Sequence, residues 1–144
     1  DEKIVKVVLR KVPDRPGIAA RVLRALADQN IKIDTIIQSM RSGKVNDMAF
    51  IIPSGDLEKI DLERLKIRSE AEDIIVEDNI AKLSLVGINV TSSPEIPAIL
   101  FETLASEGIN IDMISTSNSR ISVIISRDSI KEAVRIVHDR FNLG

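Results

Sequence analysis

Ile31-Lys-Ile-Asp-Thr-Ile36 returns 78 residues later as Ile109-Asn-Ile-Asp-Met-Ile114, and the same displacement lays Pro16-Gly-Ile-Ala-Ala20 over Pro94-Glu-Ile-Pro-Ala98. From 16–39 to 94–117, ten of 24 positions are identical without a gap: Pro, Ile, Ala, Leu, Ala, Ile, Ile, Asp, Ile and Ser. Chance does not produce that. Solenoid units repeat every 20–50 residues or so, and this period is well beyond them, so the chain reads as a tandem pair of small domains. We expect the first to cover 1–79 and the second 80–144.

Working outward within the first copy, Ile4-Val-Lys-Val-Val-Leu9 is short and β-branched, and the turn cluster Pro13-Asp-Arg-Pro-Gly17 bounds it, which predicts a strand. Residues 17–29 place Ile18, Ala19, Val22, Leu23, Leu26 and Ala27 at helical spacing, with Arg21, Arg24 and Asp28 opposite. Pro16 suits a first helical turn. Strand patterns at 33–40 and 45–52 flank Arg41-Ser-Gly-Lys44, a hairpin signal. Leu57, Ile60, Leu65 and Ile67 predict a less regular second helix, and Asp73-Ile-Ile-Val-Glu77 a fourth strand. The order is β-α-β-β-α-β. The second copy repeats it with strands at 82–87, 111–117 and 120–126 and helices at 95–107 and 129–141, the last with Ile130, Val134, Val137 and Phe141 on one face. Its fourth strand is missing, and an open edge of that kind invites pairing. A unit of about 70 residues is marginally stable alone, so the copies are expected to pack on each other or on a second chain.

Composition narrows the chemistry. Lys+Arg 20 against Asp+Glu 22 gives a net charge of −2, without the basic footprint that nucleic acid or an anionic membrane requires. There is no Cys, Trp or Tyr and a single His, which excludes a disulfide framework, a Cys-based zinc site and a Cys–His nucleophile. No metal or other cofactor is expected. Only three Phe are available, so an RNA-binding sheet that stacks bases on aromatics is disfavoured. No apolar run approaches the ~20 residues of a membrane span. Asp1-Glu-Lys3 leads straight into an apolar strand with no sign of a leader, and a cytoplasmic home is the default expectation. An enzyme on this topology remains conceivable because fold alone does not decide function. The residues offer it no metal cluster, no glycine-rich nucleotide loop, and one His, His138, at helical spacing between Val134 and Phe141.

The order of elements, together with Val12-Pro-Asp-Arg-Pro-Gly17, Arg24-Ala-Leu-Ala-Asp28, Lys82-Leu-Ser-Leu-Val-Gly87, Ile109-Asn-Ile-Asp-Met-Ile-Ser-Thr-Ser117 and Arg120-Ile-Ser122, resembles the ACT family of small regulatory domains. The combination is similar to the tandem ACT region of aspartate kinases and covers nearly the whole chain. The resemblance implies an α+β fold of two ferredoxin-like units, with antiparallel sheets and helices on one face. It implies a non-catalytic region that binds an end-product amino acid, lysine or threonine, pairs as a homodimer through its ACT units, and transmits inhibition to an aspartate kinase catalytic domain. An ACT pair serving another enzyme, or acting alone as a sensor, is the alternative.

An amino acid presents a carboxylate, an ammonium and a side chain. Gly17, Ile18 and Ala19 open a helix whose free N–H groups and positive dipole end suit a carboxylate. Asp14 and Asp34 are placed to accept from an ammonium, and Gln38 offers both a donor and an acceptor. The resemblance assigns effector contacts to these positions, to Arg15 between them, and to Asn110 and Ile111 of the second copy across an interface. Blander readings stand beside these: Asp14 and Pro16 as an ordinary helix start with Asp as its cap, Asp34 and Asp112 as a shared device at a strand entrance, and Gln38 as a solvated strand residue. Ser93, Met113, Ser115, Thr116 and Ser117 mark a second site, an interface, or a polar hairpin. In that copy Glu95 stands where the family usually has Gly, and Pro97 and Asn118-Ser119 also depart from the pattern. A carboxylate at Glu95 repels a ligand carboxylate, so the second site is expected to be altered or lost.

Overall fold

The computed structural model describes residues 3–40, 43–87 and 89–141, and the chain divides into two units, Asp1–Asp78 and Asn79–Gly144. The first contains β1 (Ile4–Pro13), α1 (Ile18–Asp28), β2 (Thr35–Met40), β3 (Val45–Pro53), a 3-10 segment (Ser54–Lys59), α2 (Leu62–Ser69) and β4 (Asp73–Glu77). The strands form one antiparallel sheet in the order β2-β3-β1-β4. Of the hairpin turn, Arg41 and Ser42 lie outside the described residues; the strands on either side pair from Met40↔Asn46 onward.

Alternation along β1 and β3 sends Val5, Val7, Leu9, Met48, Phe50 and Ile52 to one side, where Ile18, Val22, Ala25 and Leu26 of α1 and Leu65 of α2 close the core. Both helices therefore cover the same face of the sheet. Leu23 and Ala27, which the periodicity assigned to the apolar side of α1, are exposed, because the 3.6-residue pitch centres the buried stripe on 18, 22, 25 and 26. Strand β1 runs to Pro13 instead of stopping at Leu9. A bulge absorbs Arg10 and Lys11, after which the ladder with β3 resumes at Val12↔Asn46. The irregular second helix resolves into the 3-10 segment and the short α2, whose first turn is capped by the Asp61 carboxylate accepting from the Arg64 N–H at 3.1 Å.

The second unit contains β5 (Ile80–Val86), α3 (Glu95–Ser106), β6 (Met113–Ser117), β7 (Arg120–Ser126), a 3-10 turn (Arg127–Ser129) and α4 (Ile130–Phe141). Its antiparallel sheet has the order β5-β7-β6, with no fourth strand among the described residues. The central β7 is buried from Ile121 through Ile125, and Ile121, Val123 and Ile125 join Leu85, Leu100, Leu104, Ala133, Ile136 and Val137 in a core of its own. Val134 is 48% exposed, not inward as its spacing with Ile130 and Phe141 suggested; Ala133, Ile136 and Val137 hold the buried face of α4. Among the described residues, no helix is long and apolar enough to cross a membrane.

Candidate functional site

The site begins where β1 ends. Asp14 N–H donates to the Lys44 carbonyl at 2.8 Å and Arg15 N–H to Pro13 O at 3.2 Å, which folds the chain into the turn before α1. Gly17 then takes φ +91, a left-handed conformation that a Cβ makes costly, and serves as the helix N-cap. Pro16 thus precedes the helix, and Asp14 is not its cap. The Ile18 N–H turns back to Arg15 O at 3.4 Å, but no side chain caps α1 and its first turn holds no acidic residue, which leaves the N–H groups after Ile18 uncapped by side chains at the positive dipole end.

Gln38 reaches this turn through the sheet register. It lies opposite Met48, a core residue, so it stands on the helix-bearing face of the edge strand β2. Pro13, Asp14, Arg15, Pro16, Gly17, Ile18, Ala19 and Gln38 together line an open pocket of 360 Å³. That size lies within the range of small-molecule sites. Backbone N–H groups, one carboxylate, one amide and the apolar walls of Pro13, Pro16, Ile18 and Ala19 give the pocket groups that can pair with both charges of a zwitterion.

Arg15 is held from outside the pocket. Its guanidinium pairs with Glu70, which also accepts from Arg21 Nη1 at 3.0 Å. Glu70 follows α2 in a left-handed conformation, φ +56. The hydrogen bond from Arg15, reinforced by the charges of Arg15 and Arg21 and only partly opposed by desolvation, holds the Glu70 carboxyl below the usual glutamate range. Nothing local in the sequence announced Glu70 or Arg21, since the pairs span 55 and 49 residues.

Asp34 does not line the pocket. Its N–H is tied to Ile51 O at 2.9 Å and its Oδ2 accepts from the Thr35 hydroxyl at 3.3 Å, which opens β2 four residues before Gln38, about 13 Å away at ~3.3 Å per residue. Asp112 occupies the same place in the second unit, with its N–H on Ile124 O at 2.8 Å. In that unit Asn110 is exposed and Ile111 packs partly buried on the core. Met113 is buried, whereas Ser115, Thr116 and Ser117 are exposed along the edge strand β6. The turn before α3 differs from its counterpart: Pro94 is the N-cap with ordinary helical angles, Ser93 Oγ accepts from Glu95 N–H at 3.3 Å, and the Glu95 carboxylate sits in the first turn. His138 is exposed on α4. A larger open groove of 650 Å³ runs between α3 and α4; Arg135 in its lining pairs with Asp139 at 3.5 Å, and α3 contributes its C-terminal half, not its N–H-bearing start. Among the described residues, no cluster of His, Cys, Asp or Glu is arranged to hold a metal ion.

Two models of the ACT domain match this chain, one over residues 7–72 and one over 83–141. The aspartokinase of Thermus thermophilus is 42% identical over 136 residues, 92% of this chain and 33% of its own length. The chain spans about a third of the length of the curated relatives it matches. Among solved structures, the ligand-free regulatory subunit of aspartate kinase from Thermus thermophilus superposes with a TM-score of 0.89 at 41% identity, covering 98% of this chain and 94% of that one. A structure of aspartokinase alpha and beta subunits gives 0.88 at 39% identity, with 99% and 95% covered.

Proposed function

The chain belongs to the tandem ACT regulatory regions of aspartate kinases, and on that premise we propose that its first unit binds an end-product amino acid, lysine or threonine. The observation that carries this reading is the meeting of Asp14, Arg15, Gly17, Ile18, Ala19 and Gln38 around one pocket. The ligand carboxylate is received by the uncapped N–H groups of α1, its ammonium by Asp14, and its side chain by Gln38 and the apolar wall. Asn110 and Ile111 add contacts from a partner chain in a homodimer, and the assembly works in the cytoplasm beside an aspartate kinase catalytic domain. Inhibition requires that the ligand bind one arrangement of the units better than another; each tenfold of inhibition needs about 1.4 kcal/mol of that difference.

Calorimetric titration with lysine, threonine, methionine and isoleucine, each alone, tests it. Saturable binding of lysine or threonine, lost in Asp14→Ala and in Gln38→Ala, supports the reading. Absence of binding, or binding indifferent to both substitutions, removes it.

A further inference from the structure

A strained backbone position, Lys11, lies two residues before the first residue of the pocket lining, Pro13. In β1, alternation places Val5, Val7 and Leu9 in the core, so an unbroken strand would turn Lys11 inward next. Val12 is buried instead, because Arg10 and Lys11 together oppose the single residue Asp47 between the pairs Leu9↔Met48 and Val12↔Asn46. This one-residue offset brings Asp14, two positions beyond Val12, to the side of the sheet where Gln38 stands. The bulge forces Lys11 to φ +54, a region that a non-glycine residue occupies at a cost. The residue 78 positions later, Asn89, has the same φ of +54. Asparagine tolerates that conformation by local hydrogen bonding, and lysine does not. The first unit therefore needs an external hold, and the structure has one: Lys11 N–H donates to Asp47 Oδ1 at 3.0 Å. Two further contacts brace the segment, Lys11 Nζ to Glu72 at 3.0 Å and Glu72 N–H to Arg10 O at 2.8 Å.

We infer that Asp47 is a positioning residue for the effector pocket: by accepting the Lys11 N–H it stabilises the bulge that sets Asp14 against Gln38. Its ligand-binding consequence rests on the reading of the pocket given above. The test uses the full chain in four forms: unaltered, Asp47→Leu, Asp47→Asn, and Asp47→Leu combined with Lys11→Gly. Backbone amide NMR of the ligand-free forms reports the loop, and calorimetry with lysine and threonine reports the pocket. Asp47→Leu shifts the amide signals of Val12 through Ile18 and weakens binding about tenfold, the size expected for losing one hydrogen bond to a charged acceptor. Asp47→Asn keeps the acceptor oxygen and stays within about twofold of the unaltered chain. Lys11→Gly removes the need for a hold, and in the Asp47→Leu background it restores the signals and brings affinity to within about threefold; the exposed Lys11–Glu72 pair it sacrifices contributes little. Unmoved loop signals in Asp47→Leu, or failure of Lys11→Gly to restore them, overturns the assignment. If neither amino acid binds the unaltered chain, the effector reading falls, while the loop signals still decide the role of Asp47.

Discussion

Glu70 gathers Arg15 and Arg21 onto one carboxylate, so a residue of the pocket wall is tethered to the end of α2. Its carboxyl is depressed, chiefly by the Arg15 hydrogen bond. A depressed acid contributes its stability above the unfolded value and loses it as pH falls through the folded value. The tether is therefore complete at neutral pH and released on acidification below the ordinary glutamate range, about 4.3. Carboxyl carbon NMR is expected to give Glu70 a midpoint under that range, rising toward it in Arg15→Ala; an ordinary midpoint in the unaltered chain would show the pair to be absent in solution. The groups are exposed, so salt weakens the pair and the effect on global stability is small. Gly17 matters at the same scale for a different reason: its φ of +91 opens the turn and leaves the helix end uncapped, whereas Glu95 at the equivalent place begins α3 with a side-chain carboxylate.

At the scale of elements, α2 is the weakest part of the first unit that the site relies on. Eight residues are too few for an autonomous helix, and it persists because Leu65 is fully buried against the sheet and Asp61 caps its start. Leu65→Ala is expected to cost about 2–5 kcal/mol in urea unfolding, the range for emptying such a position. It also loosens the hold of Glu70 on Arg15; a cost below ~1 kcal/mol would mean that this face of α2 contributes little packing. The helices and strands of both units were legible from periodicity, with the central β7 and the terminal β4 found at the expected bounds, 120–126 and 73–77. Element ends were less so. The bulge in β1 shows in the spacing only as Val12 falling out of phase with Leu9, and nothing along the chain tells that Asp47 of another strand holds it; the outward turn of Leu23 and Val134 likewise follows from where the buried stripe of each helix is centred.

For the whole molecule, two units with separate cores share a common order of elements and differ at the turn that opens the first helix of each. One saturable site per chain is therefore expected by calorimetry, for a single type of amino acid. Ligand at about 100 times its dissociation constant should add about 2.7 kcal/mol to the unfolding free energy of the unit that binds it. The Asp14→Ala chain should show none of this gain. Two independent sites for two different amino acids would contradict the inference drawn from Glu95.

The sequence by itself determined the duplication, the order of strands and helices, and the run Asp14 to Ala19 that forms most of the pocket. These are local properties, set by side-chain period, by turn chemistry and by contiguity along the chain. Tertiary structure decided that Gln38 joins that run while Asp34 does not, that Glu70 and Arg21 restrain Arg15, and that Asp47 supports Lys11. Each depends on the register between strands or on which surface a helix covers, and the side-chain contacts of Asp47 and Glu70 span 36 to 55 residues of chain, a distance over which spacing along the sequence carries no information.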